Sequence, residues 1–271
     1  MDGAALAGGI VAGLLAFSLP SFSLVDSLVF HPTPGADVAF GELGAEGEEV
    51  FLETEDGVRI HAYLLPATGA TRALLFLHGN AGNASHRLPN AELLRRLGVT
   101  VLLLDYRGYG RSEGRPTERG VYADARAGLA HLVDELGFPE PRVALFGRSL
   151  GAAVAVELAR GRPLAGVILE SPFPSLSAMA REVFGTGFGP LTRGRFDSLA
   201  KVGELKGPLL FFHGDRDEVV PWRLGRALYE AAPEPKRFTT IRGAGHNDTV
   251  AVGGEAYFER IGAFLDEVAP P

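Results

Sequence analysis

The sequence predicts an α/β fold, a mostly parallel twisted sheet with helices on both of its faces. Short apolar runs that are typical of buried parallel strands alternate along the chain with amphipathic segments that end at glycine. A length of 271 residues, with 46% hydrophobic and 22% charged side chains, is typical of a folded globular protein. A single α/β domain can use a chain of this length by itself.

Charge and cysteine content exclude several classes of function. The net charge of −7 argues against nucleic acid as a partner, because nucleic-acid binding needs a basic face. The chain contains no cysteine, which excludes disulfides, thiolate zinc sites, iron–sulfur clusters and a cysteine nucleophile. Histidines outside the motifs described below show no metal-ligand spacing, and we expect neither a metal nor a cofactor. These are His31, His61, His86, His131 and His213.

The first thirty residues differ from the rest of the chain. Residues 3–25 carry no charged side chain, and such a run is long enough to cross a membrane. We therefore expect residues 1–30 to hold a single N-terminal membrane anchor, with a cytoplasmic protein as the alternative. Pro20 and the lack of basic residues before Arg59 weigh against an anchor and leave its orientation open. An apolar helix packed on the protein, or a cleaved signal peptide, would also fit the run.

The predicted elements follow in chain order. Residues 49–54 and 58–64 alternate in polarity around an Asp-Gly turn, which predicts a β-hairpin. The predicted parallel strands are residues 73–77, 99–104, 143–146, 167–169, 209–212 and 237–241. The predicted helices are residues 88–97, 121–136, 150–160 and about 255–267. Residues 171–206 lie between two strands and contain no clear strand, so we predict a cap inserted into one domain of residues 45–271.

A candidate nucleophile lies between a strand and a helix. Residues 147–151 read G-R-S-L-G, the G-x-S-x-G pattern in the strand–turn–helix context that this motif requires. The turn around Ser149 is tight, and glycine two residues before and after it removes steric clashes with neighbouring backbone. The alternative is a glycine-rich turn in which Ser149 takes no part in chemistry.

The loop after the first parallel strand suits an oxyanion hole. It reads H-G-N-A-G-N at residues 78–83, and its small residues would let the N–H of Asn80 face the serine. The N–H of Leu150, directly after Ser149, would supply the second donor. His78 is a rival base, but its place before Gly79 favours a structural role in the turn. The alternative for this loop is a phosphate-binding loop, but the Gly-Lys-Ser/Thr ending of such loops is missing.

A carboxylate and a histidine follow the last two strands. We select Asp217 as the acid; Asp215, Glu218 and Glu170 are rivals. His246 lies on the small-residue loop G-A-G-H at residues 243–246, where a general base could reach Ser149. The chain order serine, aspartate, histidine is the order of the α/β-hydrolase triad.

With these motifs, residues 50–265 resemble the α/β-hydrolase superfamily, and within it the serine aminopeptidase-like, alpha/beta-hydrolase-domain group with N-terminal anchors. Further matching segments are D-Y-R-G-Y-G-R-S at 105–112, E-S-P-F at 170–173 and R-F-D-S-L at 195–199. Relatives often carry glycine where this chain has Ala152. The resemblance implies Ser149, Asp217 and His246 as the triad and Asn80 and Leu150 as oxyanion donors.

The resemblance also implies hydrolysis of acyl substrates at a membrane surface, because the family includes esterases, lysophospholipases and depalmitoylases. Apolar residues of the cap would then line an acyl pocket, with Phe173, Met179 and Phe184 as the selected contacts; equally, they would form the core of the cap. A peptidase that releases N-terminal residues is the rival enzyme. A hydrolase-fold protein without catalysis is a further alternative, although such proteins typically lose a triad residue.

Overall fold

The structure is a computed structural model that describes residues 24–36, 38, 47–185 and 192–271. Its strands are β1 His31–Pro32, β2 Glu48–Glu53, β3 Arg59–Leu65, β4 Ala73–Leu77, β5 Ala81–Gly82, β6 Thr100–Leu104, β7 Val143–Arg148, β8 Gly166–Glu170, β9 Leu209–Gly214 and β10 Lys236–Ile241. Its α-helices are α1 Leu24–Val29, α2 Leu88–Arg95, α3 Glu118–Ala130, α4 Leu150–Ala159, α5 Leu176–Phe184, α6 Ser198–Lys201, α7 Trp222–Ala231 and α8 Thr249–Val268.

Within the described residues, the centre of the molecule is an eight-stranded sheet in the order β2-β3-β6-β4-β7-β8-β9-β10. Strand β3 runs antiparallel to β2 and β6, and all other neighbours in the sheet are parallel. The α/β-hydrolase fold and its mostly parallel sheet are therefore confirmed. Strand β7 extends two residues beyond its predicted end because Arg148 still pairs with Glu170 of β8.

Hydrophobic side chains from alternate positions of the strands enter two cores. On one face, Leu75 and Leu77 of β4 belong to a core completed by α3, α4 and α7. On the other face, Leu74 and Phe76 belong to a core completed by α2 and α8. The two-residue period of a strand thus produces a sheet that is covered on both sides.

Two helices begin earlier than the sequence predicted. Helix α3 begins at Glu118 because the Thr117 side chain accepts a hydrogen bond from Gly120 N and caps it. Helix α8 begins at Thr249 and is interrupted by Gly254, whose φ of 54° is not helical. In the described part of residues 171–206, α5 and α6 are present and no strand is found; that these residues form a cap stays a prediction.

The described start of the chain packs against the rest of the protein. Helix α1 leads to β1, which pairs in parallel with β5. Across the ranges that the structure describes, no helix has both the length and the apolar composition that crossing a bilayer requires. Residues 3–23 of the predicted anchor lie outside those ranges, so the anchor stays a prediction.

Candidate active site

Ser149 occupies a sharp turn between β7 and α4. Its backbone has a φ of 53°, a conformation that non-glycine residues rarely adopt, and its side chain is partly exposed. A Cβ at Gly147 would lie 2.4 Å from Gly151 O, and one at Gly151 would lie 2.0 Å from Leu77 O. Gly147 therefore lets the end of β7 pack against the start of α4, and Gly151 lets the turn pack against the end of β4, which is the steric reason the sequence suggested.

The loop after β4, residues 78–83 (the β4 loop), lies directly against this turn. A Cβ at Gly79 would lie 3.6 Å from Ser149 Cβ and 3.5 Å from Arg148 O. In the described part of the chain, the N–H groups of Asn80 and Leu150 donate to no acceptor. Two free N–H donors beside a serine can stabilise negative charge that develops on a carbonyl oxygen.

His78 holds the β4 loop. Its ring is fully buried, its Nδ1 lies 2.6 Å from Gly79 O, and it contacts the rings of Tyr106 and Tyr109. Burial lowers the pKa of His78, which keeps the ring neutral. These contacts fit the structural role that its position favoured.

Asp217 and His246 form a buried pair at the carboxyl ends of β9 and β10. His246 Nδ1 lies 2.8 Å from Asp217 Oδ2, and each residue is only 7% exposed. The other carboxylate oxygen of Asp217 accepts hydrogen bonds from Val219 N at 3.0 Å and Val220 N at 2.7 Å. The carboxylate is thus fixed on both sides and keeps the Nδ1 proton on the His246 ring.

A second histidine contacts the same carboxylate. His213 Nε2 lies 2.8 Å from Val220 O and 3.4 Å from Asp217 Oδ2. Burial alone would raise the pKa of Asp217, but hydrogen bonds from His213, His246 and Val220 outweigh it and hold that pKa below its ordinary value. This role of His213 was not predicted from the sequence, although the four-residue spacing between His213 and Asp217 is a signal that could have indicated it.

The loop that carries His246, residues 242–248 (the β10 loop), is held by carboxylates. Asp215 Oδ1 accepts from Gly243 N at 2.6 Å, and Glu218 Oε2 accepts from His246 N at 3.3 Å. Asp248 Oδ1 accepts from Gly245 N at 2.7 Å. Asp215 and Glu218, the rivals of Asp217, therefore bind loop backbone instead of the imidazole ring.

Arg148 connects the serine turn to the β10 loop. Its Nη2 donates to the backbone oxygen of His246 and, at 3.1 Å, to Asn247 Oδ1. The hydrogen bonds of the described residues include none between Ser149 Oγ and the His246 ring. Such contacts often form only when substrate is bound. Arg148 was not among the predicted site residues, because a motif shows spacing along the chain and not which loop a side chain reaches.

Glu170, the remaining rival acid, has a different partner. Its Oε1 lies 2.8 Å from Arg148 Nε and accepts from Thr249 Oγ1 at 2.8 Å, and its Oε2 accepts from the Tyr257 hydroxyl. The Glu170 carboxylate therefore neutralises the buried Arg148 charge and connects the serine turn to α8.

The predicted acyl-pocket residues are described only in part. Phe173 is 6% exposed and belongs to the core of the sheet, and Met179 packs against the same core. The side chain of Phe184 lies outside the described part of the structure. A groove of about 280 Å³ lies elsewhere, between β10 and α8, and involves none of the three. The acyl pocket stays a prediction.

Among the described residues, no group of three or more histidine, aspartate or glutamate side chains could hold a metal ion.

Comparison with known proteins shows the family of the chain. The sequence model of the alpha/beta hydrolase family matches residues 74–241. An uncharacterized protein of Mycobacterium tuberculosis is 39% identical over 247 residues, 89% of this chain and 87% of that protein. The alpha/beta hydrolase domain-containing protein WAV2 of Arabidopsis thaliana is 34% identical over 290 residues, 97% of this chain and 93% of that one.

Solved structures show the same fold. An esterase of Pyrococcus furiosus superposes with a TM-score of 0.75 over 88% of this chain and 98% of that chain, at 24% identity. The alpha/beta hydrolase GrgF of a Penicillium species superposes with a TM-score of 0.72 over 83% of this chain and 99% of that chain, at 19% identity. At these identities the likeness concerns the fold alone.

Proposed function

Because this chain belongs to the alpha/beta hydrolase family, we propose that it is a serine hydrolase that cleaves carboxylic esters or thioesters. Ser149 is the nucleophile, His246 the general base, and Asp217 the carboxylate that orients the base. The catalytic domain spans residues 45–271, with the cap inserted at about 171–206.

One observation carries this proposal: the buried hydrogen bond of 2.8 Å between His246 Nδ1 and Asp217 Oδ2. It joins two loops at the carboxyl ends of neighbouring parallel strands, at the same edge of the sheet as the Ser149 turn. A buried imidazole with its Nδ1 held by a carboxylate has only Nε2 left to accept a proton, as a general base for a serine hydroxyl requires.

Acylation begins with substrate bound between the β4 loop and Ser149. His246 Nε2 takes the hydroxyl proton while Ser149 Oγ forms a bond to the carbonyl carbon. The negative charge moves to the carbonyl oxygen, where the N–H groups of Asn80 and Leu150 stabilise it. When the tetrahedral intermediate collapses, the bond to the alcohol or thiol breaks and His246 returns the proton to that leaving group.

Deacylation repeats these steps with water. His246 removes a proton from water, the hydroxide oxygen attacks the acyl carbon, and the same two N–H groups stabilise the oxyanion. Ser149 leaves with the proton from His246, and the carboxylic acid is released. Throughout, the negative charge of Asp217 stabilises the imidazolium that forms on His246.

Lipid-like acyl chains are the favoured substrates. The apolar residues of the cap, Phe173, Met179 and Phe184 among them, would contact the acyl chain. The uncharged run at residues 3–25 would hold the protein at a membrane that contains such substrates. Membrane association is tested by flotation of the full chain with lipid vesicles beside a chain that lacks residues 2–23.

Hydrolysis of nitrophenyl esters with short to long acyl chains tests the function. We expect the wild type to hydrolyse them and Ser149→Ala to lose nearly all activity, with the longer chains preferred. Equal rates at every chain length would remove the apolar pocket from the proposal. Faster cleavage of amino-acid anilides than of any ester would identify a peptidase, and a folded wild type that cleaves neither class would contradict the proposed function.

A further inference from the structure

The segment before the main sheet crosses the β4 loop. We call residues 26–35, which include the end of α1 and all of β1, the strap. Its backbone pairs in parallel with the loop, His31 opposite Ala81 and Pro32 opposite Gly82. The proposed oxyanion donor Asn80 directly precedes the two loop residues in this pairing.

The side chain of Asn80 is bound mainly by the strap. Its Oδ1 accepts a hydrogen bond from His31 N at 3.1 Å, and its Nδ2 donates to the backbone oxygen of Val29. A third hydrogen bond, from the Tyr109 hydroxyl to Oδ1 at 2.8 Å, comes from outside the strap. An amide held at both its oxygen and its nitrogen has little freedom, and neither has the backbone that carries it.

The rest of the β4 loop is bound in the same way. Thr33 N donates to Gly82 O at 3.0 Å. Asn83 Nδ2 donates to Thr33 O at 3.2 Å and to Gly35 O at 3.0 Å. The strap therefore binds the loop at three residues. His78 holds the start of the loop, but Asn80, Ala81 and Gly82, which follow, are not buried and provide little packing of their own.

The strap is fixed independently of the loop. Phe30 is 4% exposed and belongs to the hydrophobic core, where its ring meets Phe196 edge-on at 6.0 Å. Asp26, which is 3% exposed, forms an ion pair with Arg195 of the cap region. The strap is consequently a rigid support that joins the cap region to the β4 loop.

We infer that the strap is a positioning element for the oxyanion hole, because it holds the Asn80 N–H in place through the Asn80 side chain and Gly82. The inference rests on the proposed function. Oxyanion stabilisation depends on donors that are oriented before the reaction begins. The Asn80 N–H precedes Ala81 and Gly82, and Gly82 has a φ of +85°, so this loop would sample other conformations without the strap. By holding the loop in one conformation, residues 26–35 affect the chemical step although they do not contact the substrate.

Backbone-donor deletion tests this role. The double variant His31→Pro/Thr33→Pro lacks the two strap N–H groups that donate to Asn80 and Gly82, and His31→Ala/Thr33→Ala keeps both at the same positions. We expect kcat of the proline pair to fall by about 10–100-fold relative to the alanine pair, with KM changed by less than about threefold. The affinity for a trifluoromethyl ketone, which forms an oxyanion on Ser149, should fall by the same factor as kcat/KM.

A proline pair that matches the alanine pair in kcat and in ketone affinity would overturn the inference. So would a fall in kcat with unchanged ketone affinity, because the loss would then arise outside the oxyanion hole. If the double variant does not fold, His31→Pro is compared with His31→Ala in the same assays. A folded wild type that hydrolyses no ester and binds no ketone contradicts the proposed function itself, whereas an active wild type with active proline variants contradicts only the role of the strap.

Discussion

Replacing Asp217 with asparagine should abolish most activity by forcing the wrong tautomer of His246. In the wild type, Oδ1 of Asp217 accepts two backbone N–H groups, Val219 at 3.0 Å and Val220 at 2.7 Å. An asparagine must therefore keep its oxygen on that side and turn its NH2 group toward His246 Nδ1, 2.8 Å away in the wild type. The ring would then accept at Nδ1 and carry its proton on Nε2, where it cannot take the proton of Ser149.

The size of the effect follows from the alternative orientation of the amide. Turning NH2 toward the buried N–H of Val220 and the partly buried N–H of Val219 would leave both without an acceptor, at about 1–3 kcal/mol each. A total of about 2–6 kcal/mol corresponds to a population of the productive tautomer reduced by about 30-fold to 10⁴-fold. The loss of the negative charge beside the imidazolium adds to this, so we expect kcat/KM to fall by about 10³–10⁴-fold.

The assay is ester hydrolysis by Asp217→Asn, with Asp215→Asn as the matched control. Asp215 is an exposed carboxylate two residues away that binds Gly243 N and does not contact the His246 ring. We expect the control to keep kcat/KM within about fivefold of the wild type. Equal losses in both variants, or an Asp217→Asn enzyme as active as the wild type, would refute the tautomer argument.

Three further predictions concern the glycine spacing, the buried ion pair and pH. Gly151→Ala would place a Cβ 2.0 Å from Leu77 O, so we expect thermal denaturation to show a Tm lower by about 2–10 °C, together with reduced activity. The control Gly203→Ala, whose Cβ would meet nothing within 4 Å, should leave Tm and activity unchanged, and equal Tm values in the two variants would contradict the steric argument. Glu170→Ala would leave the Arg148 charge buried and without its carboxylate partner, so urea unfolding should show an unfolding free energy lower by about 3–5 kcal/mol, and kcat should also fall. A decrease in unfolding free energy below about 1 kcal/mol would show that the ion pair is not needed. The folded-state pKa of Asp217 lies below its unfolded value of about 3.9, so the stabilisation that the ionised carboxylate gives the fold is present above that value and lost as pH falls toward the folded pKa. The unfolding free energy of the wild type should therefore fall more steeply below about pH 4 than that of Asp217→Asn. Parallel plots of unfolding free energy against pH for the two proteins would contradict the direction of the pKa shift.

Local patterns predicted the fold and selected three candidate site residues, two of which, Asp217 and His246, the structure brings into contact. The strands of the parallel sheet are short apolar runs, and burial on both faces requires such runs wherever the chain passes through the centre. Ser149 is recognisable because its glycine spacing is a steric requirement of one turn. Asp217 and His246 follow the last two strands, and parallel strands bring such loops together at one edge of the sheet.

Contacts between distant segments were not predictable from these patterns. Arg148 reaches the His246 backbone oxygen across 98 residues of chain, and the bond from His31 N to Asn80 Oδ1 spans 49 residues. A sequence shows which side chains can form hydrogen bonds, but the choice of partner depends on the packing of loops in space. For the same reason, residues 24–30 are assigned from the sequence to the predicted anchor, although Val29 contacts the β4 loop and Phe30 enters the core.

Covalent labelling of Ser149 tests the central claim most directly. The purified full-length protein is treated with a fluorophosphonate, digested, and analysed by mass spectrometry to locate the adduct. We expect one adduct, on Ser149, that forms rapidly in the wild type, slowly in Asp217→Asn and not at all in Ser149→Ala. A folded wild type without an adduct, or with the adduct on another serine, would contradict the assignment of Ser149 as the nucleophile.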